Sequence, residues 1–139
     1  MVVLKNVYYD IIYRLSHSEY EAGGILGGKD GVISQFILDD GQACYPDKYI
    51  PNVLFMNRKI DEWIKNGIEF YGMIHSHLTK VKKLSNEDVI YIKRIMTGMP
   101  DYIKELYFPL VIPEHQIVPF IARRSNDTVL LVQDKLQIV

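Results

Sequence analysis

The stretch from Glu69 to Asp88 leaves this chain the least freedom in how it folds. Glu69-Phe70-Tyr71-Gly72-Met73-Ile74 is aromatic and β-branched enough to form a strand, and residues two apart in a strand point to one face. His75 and His77 at its end can therefore reach one ion. Ser85 opens a helix and Asp88 stands in its first turn, so a strand end and a helix start together offer two imidazole nitrogens and a carboxylate. Three protein ligands leave one position of a tetrahedral zinc open, as in catalytic rather than structural sites. Each part has a plainer reading. Ser85 and Asp88 before Val89-Ile90-Tyr91-Ile92 make an S-x-x-D pattern, which is a helix N-cap with an acidic first-turn partner. Two histidines can also simply sit on a half-buried strand. Their joint occurrence favours the metal.

Upstream, Glu19-Tyr20-Glu21-Ala22-Gly23-Gly24-Ile25-Leu26-Gly27-Gly28 sets a carboxylate just before a glycine-rich apolar strand. The pattern E-x-G-G-I-L-G-G, then H-S-H, seven residues, and S-x-x-D resembles the JAMM (JAB/MPN-domain) zinc metallopeptidases. The resemblance implies that His75, His77 and Asp88 hold Zn2+. It also implies that Glu21 holds and deprotonates the water on the metal, and that Ser85 helps stabilise the tetrahedral intermediate. Many members of that family have proline directly after the second histidine and just before the serine, where this chain has Leu78 and Leu84. Proline stiffens a loop by fixing φ. Its absence predicts a more mobile segment between the ligand pairs, with metal binding retained.

The chemistry explains why these residue types belong together. A peptide or isopeptide carbonyl is a poor electrophile and neutral water a poor nucleophile; zinc lowers the pKa of bound water toward ~7 and polarises the carbonyl. A carboxylate base within hydrogen-bond reach of that water then moves its proton to the leaving amine. A hydroxyl donor to the developing oxyanion lowers the barrier further. Glu19 rivals Glu21 as base, but Glu21 abuts the Gly23-Gly24 strand start and matches the motif.

Other candidates are weaker. His17 reads as a surface residue near a helix C-terminus and His115 as a turn residue between strands, neither with a partner at ligand spacing. Cys44 is the only cysteine, which excludes an internal disulfide and a cysteine-only metal site. It reads as a core or surface thiol. Lys80, Lys82 and Lys83 form a solvated loop face or, as the rival reading, steer an acidic partner across the site mouth.

At 139 residues the chain is most economically a single domain, 1–139, able to bury close to two-thirds of its unfolded surface. A net charge of -1 gives no electrostatic case for nucleic acid or an anionic membrane. No apolar stretch approaches the ~20 residues needed to cross a bilayer, and Met1 to Asn6 lacks a signal-peptide layout. With one thiol, the expected address is the cytoplasm.

Periodicity predicts a first helix from Val7 to about Ser18, strands over Gly24 to Gly28 and Val32 to Leu38 joined by Lys29-Asp30-Gly31, and a turn at Asp40-Gly41. Ala43 to Ile50 is irregular or a short strand. A second helix runs from Pro51 to about Asn66, with Val53, Met56, Ile60, Trp63 and Ile64 on one stripe and Gly67 closing it. The strand Ile68 to His77 follows, then a third helix from Ser85 to about Thr97. Strands over Leu106 to Ile112, Gln116 to Arg123 and Thr128 to Val132, extending at most through Ile138, complete the chain. Pro109 and Pro119 mark edges, bends or bulges in them. The expected fold is α/β, an MPN/JAB-like sandwich with a largely antiparallel mixed sheet flanked by helices. The leading function is a zinc-dependent metallopeptidase or isopeptidase; the resemblance implies substrates with the Gly-Gly tail of ubiquitin or ubiquitin-like and sulfur-carrier proteins. A non-catalytic MPN-type scaffold and a small-molecule zinc amidase are the alternatives.

Overall fold

The computed structural model describes residues 1–39 and 48–139, together with the backbone of 44–45. In chain order the elements are β1 (Val2–Val3), α1 (Lys5–Leu15), β2 (Gly23–Lys29), β3 (Val32–Leu38), β4 (Cys44–Tyr45), β5 (Lys48–Tyr49), α2 (Val53–Lys65) and β6 (Glu69–Ser76). They continue with α3 (Asn86–Gly98), β7 (Glu105–Tyr107), β8 (Leu110–Ile112), β9 (Gln116–Val118), β10 (Phe120–Ser125), β11 (Thr128–Gln133) and β12 (Gln137–Ile138). The Asp40-Gly41 turn and the side chain of Cys44 lie outside the described residues. No helix among the described residues is long and apolar enough to cross a membrane.

A mixed sheet runs in the order β11-β10-β7-β6-β2-β3-β1-β12, with most of its pairs antiparallel. Alternation along the central strands decides what covers each face. Leu26 and Ile74 face α1, whose Val7, Ile11 and Leu15 lie one turn apart and are all buried. Ile25 faces α2 through Met56 and Trp63. Met73, next to Ile74 and so on the opposite face, packs with both the α2 and the α3 clusters. Each such large apolar side chain contributes about 1.5–3 kcal/mol of burial. His75 and His77 share parity with Met73, which puts them on the α2/α3 side.

The helices form where the periodicity predicts, with ends shifted by one to three residues. Asn52 caps α2 by accepting from the Phe55 N–H, and Gly67, at φ +74°, closes it. The C-terminal strands differ more. Leu106 to Ile112 is split at Phe108-Pro109 and Gln116 to Arg123 at Pro119, because neither proline has an N–H for the ladder. The sheet forks there: β7 leaves β6 at Gly72 to join β10, while β8 runs beside His75 and Ser76 and pairs with β9. Gly72 has φ +145°, and a Cβ on it would lie 1.8 Å from the Tyr107 carbonyl oxygen, so only glycine fits the fork. Two strands carry no signal in the sequence reading. β1 lies between β3 and β12, parallel to both, and β12 is a separate strand rather than an extension of β11.

Candidate metal centre

β6 ends at Ser76, and its partner β2 begins at Gly23 opposite His75. The pairing reaches past the formal strand ends: Ser76 N–H donates to the Ala22 carbonyl at 2.8 Å, and the Ala22 N–H donates to Ser76 Oγ at 3.0 Å. Glu21, the next residue outward, is thereby carried toward His77. On the other side His77 N–H donates to the Val111 carbonyl at 2.9 Å, so β8 holds the backbone of the histidine segment. Bonds on both flanks fix where the two imidazoles stand.

α3 supplies the third donor through its cap. Ser85 Oγ accepts from the Asp88 N–H at 3.0 Å, and the Ser85 N–H donates to Asp88 Oδ2 at 2.9 Å, a complete capping box. The same carboxylate faces the histidines, with Oδ1 3.3 Å from His75 Nε2 and Oδ2 3.1 Å from His77 Nε2. The cap and the ligand reading of Asp88 are thus compatible in one conformation. The two Nε2 atoms lie 3.0 Å apart.

These spacings test the fit of an ion. Bonds of ~2.0–2.1 Å to a tetrahedral zinc put its ligand atoms about 3.3 Å from one another, and the three donors stand 3.0–3.3 Å apart. His75, His77 and Asp88 could therefore hold a metal ion. Two imidazoles and a carboxylate are a donor set that zinc takes and that other first-row divalent ions, Fe(II) included, take as well.

Charge agrees with geometry. Acceptance by Asp88 raises the His77 pKa above its ordinary 6.5 against the opposing effect of burial, and the Glu21 charge adds to the rise. Burial pushes the Asp88 carboxyl up, but the hydrogen bonds of His75 and His77 outweigh it and hold the group well below the usual carboxylate range. Without metal, the His77 contribution to stability is complete below 6.5 and is lost as pH rises through its raised folded value. The Asp88 contribution is complete above 3.8 and is lost as pH falls toward its lowered folded value. In the chelated protein the contribution of this pair should therefore be greatest between 3.8 and 6.5 and decline above that window. Melting temperature against pH, for the chelated wild type and His77→Gln, checks this; parallel curves would refute it.

Glu21, His75, His77, Ser85 and Asp88 all line one cavity of about 440 Å3. Glu19 is exposed and does not line it. The remaining wall includes Lys48, Tyr49, Pro51, Met73, Tyr91 and Phe108, which no motif marked. Tyr49 is held by Asp39, a carboxylate only 5% exposed that accepts from the Tyr49 hydroxyl at 2.5 Å and from the Asn52 N–H at 2.9 Å. The Tyr49 ring lies over Gly23, where a Cβ would come within 2.5 Å of it. An aromatic in a segment without periodicity carries no signal in sequence. Lys80 pairs with Glu114 across an exposed surface, while Lys82 and Lys83 are solvated.

No family model matches the chain, and no curated protein sequence matches it. Solved structures do. A protein of Desulfitobacterium hafniense, known from its solution structure, is 20% identical over all of this chain and 93% of its own, with a TM-score of 0.71. A JAB1/MPN domain protein from Archaeoglobus fulgidus, known from a crystal structure, is 16% identical over all of this chain and 99% of its own, with a TM-score of 0.58. The fold is accordingly of the MPN/JAB type.

Proposed function

We propose that this protein is a zinc-dependent peptidase or isopeptidase of the JAMM type. The observation that carries the reading is the convergence of His75, His77 and Asp88 at ligand spacing in a cavity that Glu21 and Ser85 also line. An MPN/JAB fold supports it, although that fold also serves in binding modules without catalysis. A bound zinc ion would supply Lewis acidity, activating water at neutral pH and polarising the scissile carbonyl.

The chain's own residues account for the rest of the reaction. Glu21 accepts the proton of the attacking water and returns it to the departing amine. Its carboxylate lines the same cavity as the ligand group. Ser85 Oγ spends a lone pair on the Asp88 N–H, which leaves the hydroxyl proton free to be donated to the oxygen of the scissile carbonyl. Tyr49, Tyr91 and Phe108 give the cavity a largely aromatic wall beside the reacting bond. A cavity of about 440 Å3 admits a few residues of an extended tail, not a folded domain. The substrate proposed is the C-terminal Gly-Gly tail of a ubiquitin-like or sulfur-carrier protein, joined through a peptide or isopeptide bond.

The test is incubation of the zinc-loaded protein with Gly-Gly-tailed ubiquitin-like fusions, followed by mass spectrometry, with a chelator control. Cleavage after the second glycine that stops with chelator and returns with zinc is expected. A protein that contains no zinc by elemental analysis would leave only the scaffold role. A zinc-loaded protein that spares every tail but opens simple amides would move the assignment to a small-molecule amidase.

A further inference from the structure

We propose that His17 and His115 form a second transition-metal site on the protein surface, apart from the His75, His77 and Asp88 group. The ions it would take are of the zinc, nickel or copper class, for which imidazole is a suitable ligand. The two residues come from distant parts of the chain. His17 follows the end of α1, and His115 stands in the turn between β8 and β9.

His17 is already set up as a ligand. Its Nδ1 lies 3.0 Å from the Tyr13 carbonyl oxygen, and because a carbonyl only accepts, the proton of that bond sits on Nδ1. In that tautomer Nε2 keeps its lone pair and can bind an ion. Metal-bound histidines in proteins regularly make this second bond, which fixes both tautomer and ring orientation. The Tyr13 ring, 5.8 Å away between centres, backs the imidazole.

His115 is presented by a turn with an unusual backbone. Glu114 has φ 71° and His115 φ 59°, so two consecutive residues with side chains occupy the left-handed region where glycine or asparagine is the ordinary choice. Both side chains are exposed, and the tight hairpin between β8 and β9 is what requires φ > 0 at these two residues. Its effect is to bring the His115 ring to 5.4 Å from that of His17, centre to centre, at a tilt of 36°. Two imidazoles on one tetrahedral ion have centres about 5.2 Å apart, from ~2.0–2.1 Å bonds plus the distance from nitrogen to ring centre. At the first site, His75 and His77 have centres 4.8 Å apart.

Glu114 is committed to Lys80, whose ammonium it pairs with at 2.5 Å. The second site therefore has two protein ligands, with water completing its coordination. It binds more weakly than the first and prefers copper over nickel and zinc.

The experiment is calorimetric titration of tag-free, full-length protein with zinc chloride, repeated for His17→Ala, His115→Ala and His75→Ala. Wild type is expected to take up a tight and a weaker ion, and His17→Ala and His115→Ala should each lose about one equivalent, the weaker. His75→Ala should lose the tight one and keep the weaker, so failure of the proposed catalytic centre and failure of this site are read separately. His115 is exposed, so His115→Ala should leave the melting temperature of the metal-free protein unchanged, whereas His17→Ala also gives up the bond to the Tyr13 carbonyl and should lower it slightly. Equal zinc uptake by wild type and His115→Ala overturns the site. So does zinc-induced dimerisation in sedimentation, lost in His115→Ala, because the ion would then bridge two copies.

Discussion

Glu21→Gln is expected to lower hydrolysis by about 10²–10⁴-fold while the protein keeps its zinc. Glutamine matches glutamate in shape and can hydrogen-bond a water, but it cannot take up a proton at neutral pH. Glu21 is not one of the three donors that meet at ligand spacing, so the metal-to-protein ratio should stay as in wild type. Its negative charge does favour the cationic form of His77, so the substitution should also ease loss of the His77 proton slightly. Glu19→Gln is the control: the residue is exposed and outside the cavity, and its loss should leave the rate unchanged. Stopped assays of tail cleavage with parallel zinc analysis decide the matter. Full activity in Glu21→Gln, or a collapse in Glu19→Gln, would remove Glu21 as the base.

Asp88→Ala is expected to abolish stoichiometric zinc binding and all detectable cleavage, and to destabilise the metal-free protein as well. One carboxylate performs both tasks, facing His75 and His77 while accepting the Ser85 N–H at the start of α3. Losing an acidic group from the first turn costs about 0.3–1 kcal/mol through the helix dipole. Ser85→Ala separates the two roles, since it removes the N-cap at a cost of about 1 kcal/mol and leaves all three metal donors in place. Elemental analysis and urea unfolding of both variants should show two destabilised proteins, of which only Ser85→Ala still carries zinc. Retention of zinc by Asp88→Ala would reduce Asp88 to a capping residue and take the catalytic reading down with it.

Much of the site was legible because its parts are local. His75 and His77 are two apart on a strand, which puts them on one face, and Ser85 and Asp88 are three apart at a helix start, which puts them in one capping box. These relations hold whatever the rest of the chain does. That the strand end and the helix start meet, with Asp88 within 3.3 Å of both imidazoles, is a different kind of fact. It depends on α3 packing over the sheet through Ile92 and Met96, and the motif resemblance anticipated it where periodicity alone did not. The Tyr49 wall and the Asp39 carboxylate that holds it were not legible at all. Their partners, Gly23 and Asn52, belong to other elements.

The amino-acid sequence by itself determined the three helices, the Ser85 start of α3 and the Gly67 stop of α2, the β2–β3 hairpin and the side of β6 on which the histidines stand. All of these follow from backbone periods, hydrogen bonds and excluded volume acting over a few residues. Tertiary structure alone decided that β1 pairs in parallel with β3 and β12, that the sheet forks at Pro109 and Pro119, and that His17 meets His115. Two-residue strands have too few positions to show a period. The fork needs Gly72 and Tyr107 in van der Waals contact before its steric logic exists. Contacts of that kind arise from burying the two sheet faces under α1 on one side and α2 and α3 on the other, which only the whole chain can do.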